Sequence, residues 1–266
     1  MAKINNPMDI FKLLPQTNCR KCNEKTCLAF AASVFKGKRD LNECPYLDPE
    51  TISQYQGRSD NLRSVDEDMA KTVEQLKEKI RKTDLAAAAK RVGGRYADNK
   101  LTIKILGKDF SITSSGQFST EIHIIPWVTI PLLNYILSSD GKTPTGNWIP
   151  FRELPNARER AGLFEQRCEK PLKRIADTYT DLFKDMLEIF DGKEADDVDS
   201  DIGIILYPLP KVPILCCYWK PEEGIESSLH IFFDDTAGAN LSIEALYTLS
   251  AGLVNMFEKL ALRHGV

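Results

Sequence analysis

Residues 14–47, LPQTNCRKCNEKTCLAFAASVFKGKRDLNECPYL, space four cysteines as C-x2-C-x4-C-x16-C, with Pro45 behind the last thiol. Thiolates at Cys19, Cys22, Cys27 and Cys44 suit a [4Fe-4S] cubane, which takes four cysteine ligands converging from different sides. The x2 and x4 steps can wrap a loop round three iron corners. The x16 step can leave through a helix and return the chain to the fourth. Structural zinc is the competing occupant, but zinc ribbons usually present two C-x2-C knuckles and only one stands here. A segment of about 50 residues also rarely holds itself together on apolar packing alone, so a metal centre would double as a staple.

Working outward, residues 26–36 read as a helix in which Phe30 and Val34 are i,i+4 partners and Gly37 is the C-cap. Cys27 would sit in its first turn, where free amides favour negative charge. Residues 51–63 are polar and read as a connection. Ser64-Val65-Asp66-Glu67 is a capping box that predicts a helix to about Lys82, carried by Met69, Val73, Leu76 and Ile80. Thr83 or Asp84 caps a short helix, DLAAAAKRV, that Gly93-Gly94 stops.

From Leu101 the period changes to that of strands. LTIKIL and FSI flank Gly107-Lys108-Asp109 as a hairpin, and FSTEIHII is a third strand. Pro126 and Pro131 bracket the start of a helix through Leu132, Tyr135, Ile136 and Leu137. Residues 140–150 predict loop or irregular strand. Residues 157–190 read as helical with a break near Pro171, and the acidic run Glu194–Asp201 as a solvated loop. IGIILY, ILCCYW and LHIFF are strands, and Ser242 caps a C-terminal helix. Strand clusters separated by helices, without regular alternation, give an α+β fold. The expected organisation is a cysteine domain over 1–60, a helical connector over 61–94 and an α+β domain over 95–266.

The chain has 266 residues, 42% of them hydrophobic, and a net charge of −3, which makes no case for nucleic acid. Residues 1–100 hold 19 basic and 14 acidic side chains, and residues 101–266 hold 16 and 24. No signal peptide is evident, and no apolar run approaches the ~18 residues of a membrane span. A cytoplasmic location follows as an expectation, with the seven cysteines acting as ligands or buried thiols rather than disulfides.

Leu14–Leu47 resembles a family of small [4Fe-4S] domains found in the large subunit of corrinoid iron–sulfur proteins and in the B subunit of Rnf-type electron-transport complexes. The matching text is LPQTNCRKCNEKTCLAFA and ECPYL, with Pro15, Thr17-Asn18, all four cysteines and Pro45 in place. Asn23 departs from the pattern, standing where glycine is expected; asparagine tolerates left-handed backbone better than most residues. The remainder, with WIPFREL, DIGIILYPLPKVPILCCYW and HIFFDDTA, resembles an uncharacterised domain that follows such modules in anaerobic bacteria. The resemblance implies a low-potential one-electron carrier whose receiver is a redox partner protein or a corrinoid cofactor. A second class remains open: a ligand-, corrinoid-binding or sensing protein whose cluster is structural or reports redox state. A cluster-dependent enzyme ranks last, because no acid–base or nucleophile constellation emerges.

Other residues invite weaker readings. Cys168 lies on a helical pattern, and Cys216 and Cys217, adjacent in a strand, must face opposite ways. His123 and His230 fall in expected strands and His264 at the C-terminus; His230 is the one that could ligate a corrinoid or haem. Asp234-Asp235 suit a cation or, more simply, a turn. Gly141-Lys142-Thr143 lacks the upstream glycine of a phosphate loop, since residue 136 is isoleucine. Trp127, Trp148, Trp219 and Tyr218 would either line a flat-cofactor pocket or pack in the core.

Overall fold

The computed structural model describes residues 7–35 and 38–264, with side chains apart from those of 54–66 and 263–264. The chain divides into two compact units, Met1–Thr72 and Val73–Val266.

The smaller unit carries α1 (Pro7–Phe11), α2 (Cys27–Phe35) and most of α3 (Pro49–Ile80). Thr26 starts α2: its Oγ1 accepts the Ala29 N–H at 3.0 Å. Phe30, Ala31 and Val34 then share one buried face with Ile10, Leu14 and Leu41. The expected cap at Gly37 lies outside the described residues. Helix α3 begins at Pro49 and not at Ser64. Asp48 supplies the start, accepting from the Thr51 N–H and hydroxyl at 2.7 Å each, and Pro49 needs no partner for a missing N–H. The polar stretch 51–63 is therefore helix and not a connection.

The last turns of α3 belong to the larger unit, where Leu76 and Ile80 enter its core. Helix α4 (Leu85–Val92) follows, capped as expected: Asp84 accepts from the Ala86 and Ala87 amides, and Gly93 closes it at φ +71°. A four-stranded antiparallel meander comes next: β1 (Arg95–Ala97), β2 (Lys100–Ile105), β3 (Lys108–Thr113) and β4 (Phe118–Thr120). Leu101, Ile103, Ile105, Phe110 and Ile112 alternate into the core. The hairpin turns on Leu106-Gly107, one residue earlier than expected, with φ of +48° and +76°. Leu106 holds that conformation because its amide donates to Tyr207 O at 3.0 Å and its side chain is buried. Strand β4 ends at Thr120, so His123 lies in a loop and not in a strand.

Helix α5 (Pro126–Ser138) starts on Pro126 and runs through Pro131. Then come β5 (Trp148–Pro150), α6 (Ala161–Phe164), a π-helical turn (Glu165–Glu169), α7 (Lys170–Thr178) and α8 (Thr180–Ile189). Pro171 does not break the helix. The wider π turn ahead of it absorbs a residue that cannot donate, and the break falls at Tyr179 (φ −138°, ψ +59°). The second sheet orders β5, β9 (Ser228–Asp234), β8 (Val212–Trp219), β7 (Ile202–Leu209) and β6 (Lys193–Glu194), all antiparallel. Pro208 sits inside β7, where the ladder slips between Leu206 and Leu209 and demands no amide. Two helices remain, the one-turn α9 (Ala237–Asn240) and the long α10 (Ile243–His264), the latter packed on α5 and α7. The fold is mixed α+β.

Candidate metal centre

The cysteine loop is built from left-handed backbone. Gln16, Asn18, Arg20 and Asn23 have φ of +55°, +50°, +62° and +59°. Asparagine adopts this region with little strain, whereas glutamine and arginine give up about 1 kcal/mol each. Such strain gathers where surrounding structure or function demands the path. The coil exposes every residue from Pro15 to Lys21, Cys19 among them. Cys22, Cys27 and Cys44 are buried in one cluster with Ile10, Leu14, Phe30 and Leu41.

Three local devices fix these thiols. Asn18 Oδ1 accepts the Cys27 N–H at 2.8 Å, tying the coil to the first residue of α2. The Asn23 amide closes a tight turn on Arg20 O at 3.0 Å. On the return path, Asp40 N–H donates to Glu43 Oε1 at 2.8 Å, Arg39 bonds Glu43 Oε2 at 2.6 Å, and the Cys44 amide reaches Leu41 O at 3.1 Å. The α2 N-terminus is not the free anion site expected of it. Asn18 and Thr26 already occupy the amides of Cys27 and Ala29. The Lys21 amide, then the Thr17 hydroxyl and the Lys21 charge, hold the Cys19 thiol below its ordinary pKa. Thiolate character is what iron ligation requires.

All four cysteines are free thiols. Among the described residues, no three His, Cys, Asp or Glu side chains are grouped to grip a single ion. A cubane spreads its four ligands over separate corners, so the donor chemistry still fits it: four soft thiols, three of them within one apolar cluster.

The larger unit scatters the other candidates. Asp234 is buried and accepts from Gly146 N–H at 2.7 Å, Thr236 N–H at 3.0 Å and the Thr236 hydroxyl, while Asp235 holds Thr145 and Asn147. The pair ties the 145–147 loop to the end of β9. Gly141-Lys142-Thr143 is bound by buried Asn240, whose Oδ1 accepts from Lys142 N–H at 2.9 Å and whose Nδ2 donates to the carbonyls of Lys142 and Lys211 at 2.8 Å. Tyr218 points into the core and donates to Asp177 at 2.9 Å, opposite to Trp219. Trp148 and Trp219 flank opposite ends of β9, at Asp234 and Ser228, and Trp127 lies against Gly252 of α10, so the three tryptophans do not gather at one place. Burial pushes the Cys168 thiol up to about 12 and raises those of Cys216 and Cys217.

One pair has no sequence signal. Glu169, in the π turn, accepts the Ile231 edge amide at 3.0 Å and lies 3.7 Å from His230 Nδ1. Desolvation raises its pKa, against the pull of the Ile231 amide and the imidazole. His230 is itself exposed beside Trp219 and Phe232.

Comparison with known proteins divides along the chain. Residues 14–46 match the family described as "Putative Fe-S cluster". The chain is 50% identical over 40 residues to the acetyl-CoA decarbonylase/synthase complex subunit gamma of Methanothermobacter thermautotrophicus, covering 15% of this chain and 9% of that one. It is 47% identical over 45 residues to subunit gamma 1 of Methanosarcina thermophila, covering 17% and 10%. It is 48% identical over 40 residues to the corrinoid/iron-sulfur protein large subunit of Moorella thermoacetica, covering 15% and 9%. The chain thus spans about a tenth of the length of these relatives, and the likeness supports iron–sulfur binding by the cysteine segment. No solved structure matches the chain. Among the described residues no helix is long and apolar enough to cross a membrane. Residues 84–256 match over more than half of the chain, and the protein belongs to the family described as domain of unknown function, DUF3786.

Proposed function

We propose that Cys19, Cys22, Cys27 and Cys44 hold one [4Fe-4S] cluster and that the protein carries single electrons at low potential to a redox partner. The observation that carries this reading is the partition of the four thiols: three in one apolar cluster and Cys19 at the exposed loop. When bound, the cluster supplies one-electron chemistry. The chain's part is to exclude water with Ile10, Leu14, Phe30 and Leu41 and to stabilise the Cys19 thiolate through the Lys21 amide. The names of the relatives supply an acceptor to test, a corrinoid. Seven free thiols agree with a reducing, cytoplasmic setting.

One observation favours a second reading. Cys22, Cys27 and Cys44 are part of the smaller unit's core, so a cluster there also staples the fold, and the larger unit could be the ligand-recognising or sensing part. Anaerobic redox titration followed by EPR separates the two. A reversible low-potential couple, retained by wild type and abolished by Cys22→Ala, supports the carrier. A cluster that is lost on reduction, with no reversible couple, rejects it in favour of the staple.

A further inference from the structure

We infer that the face around Cys19 is a docking surface for a small electron-carrier protein with an acidic face. The inference rests on the carrier reading above and names the partner of the same site. Residues 10–39 contain seven basic side chains and one acid, Glu24. That acid is half-buried and turned inward, accepting from the Ser33 hydroxyl at 2.9 Å and lying 4.0 Å from Arg39. Lys12, Arg20, Lys21, Lys25 and Lys38 are all exposed. Over residues 10–48, which include Cys44 and Tyr46, the count is seven basic to four acidic, and Glu24 and Glu43 both lie against Arg39, so the exposed charge is mainly basic.

The patch also has a hydrophobic element. Tyr46 is 51% exposed, and Lys21 Nζ stands 4.9 Å from its ring. Lys21 is two residues from Cys19 in the same exposed coil, so Tyr46, Lys21 and Cys19 are contiguous. Leu28, beside Cys27, is 46% exposed. An exposed aromatic under Lys21, near the exposed Cys19 thiol on a segment rich in exposed basic side chains, has the character of a small transient redox interface, steered by charge and released quickly. Nucleic acid is the weaker fit, because net charge over the whole chain is −3.

The test uses full-length, cluster-loaded protein. Binding of a small acidic ferredoxin is measured by calorimetry at low and high salt, for wild type, for Lys12→Glu/Lys25→Glu and for Lys90→Glu as a surface control. The double reversal is expected to weaken binding about ten-fold or more at low salt, with the difference largely gone at high salt. Lys90→Glu should leave it unchanged. Reduction by dithionite and reoxidation by methyl viologen should be the same in all three. Ferredoxin affinity indifferent to the double reversal would overturn the docking surface while the dye cycle leaves the carrier reading intact. Equal or tighter binding of basic cytochrome c, or of a DNA duplex, would overturn it as well. Failure of wild type to complete the dye cycle would sink the carrier reading and the docking surface together.

Discussion

Asn18 offers the sharpest test of how the chain secures its proposed cluster. Its side chain bonds the Cys27 amide at 2.8 Å, and its backbone sits at φ +50°. Asn18→Ala removes a side-chain cap of about 1 kcal/mol and adds about 1 kcal/mol of left-handed strain that asparagine largely avoids. Asn18→Gly removes the same hydrogen bond without strain. The expected losses are about 2 kcal/mol for alanine and about 1 kcal/mol for glycine in the stability of the coil. If cluster release proceeds through opening of that coil, these become roughly thirty-fold and five-fold faster release. The assay is anaerobic iron capture by a chromogenic chelator, followed by loss of cluster absorbance, with Asn18→Asp as the variant that keeps an acceptor. Release in Asn18→Ala at the wild-type rate, or faster release from the glycine variant than from the alanine variant, would refute the reasoning.

Three further outcomes follow from the larger unit. Asn240→Ala leaves the Lys142 amide and the carbonyls of Lys142 and Lys211 unpaired, and thermal unfolding should report a loss of about 2–4 kcal/mol. Burial raises the folded-state pKa of Glu169 above its ordinary value of 4.5, so the folded state binds its proton more tightly than the unfolded chain does. This contribution to stability is present below pH 4.5 and is lost as pH rises through the raised folded value; Glu169→Gln should flatten that slope in denaturant titrations across pH. In chelator-treated native protein, iodoacetamide should label Cys19 first and spare Cys168, Cys216 and Cys217 until denaturant is added, with peptide mass spectrometry as the readout.

The cysteine segment was legible because its chemistry resides in residue type and spacing. Asn23 stands in the sequence where a left-handed turn calls for glycine, and it has φ +59°. The caps of α4 were equally plain, since Asp84 and Gly93 act on their nearest neighbours. The start of helix α3 is hidden because its polar residues show no apolar stripe, and the start signal at Asp48-Pro49 precedes them. Pro171 reads as a break because the compensating π turn leaves no pattern in the residues before it. The aromatic pocket could have been doubted from period two alone: Tyr218 and Trp219 are adjacent in a strand and cannot face one site. Asn240 and Glu169 were illegible for another reason. Their partners are distant in sequence, Lys142 for the first and Ile231 for the second, and only the fold brings them together.

The most direct measurement of the central claim is the iron, zinc and acid-labile sulfide content of protein purified without oxygen, with EPR after reduction. The account predicts close to four irons and four sulfides per chain, negligible zinc, and a reduced-cluster signal that Cys22→Ala abolishes. Stoichiometric zinc with no sulfide, or full iron and sulfide in the Cys22→Ala variant, would contradict it.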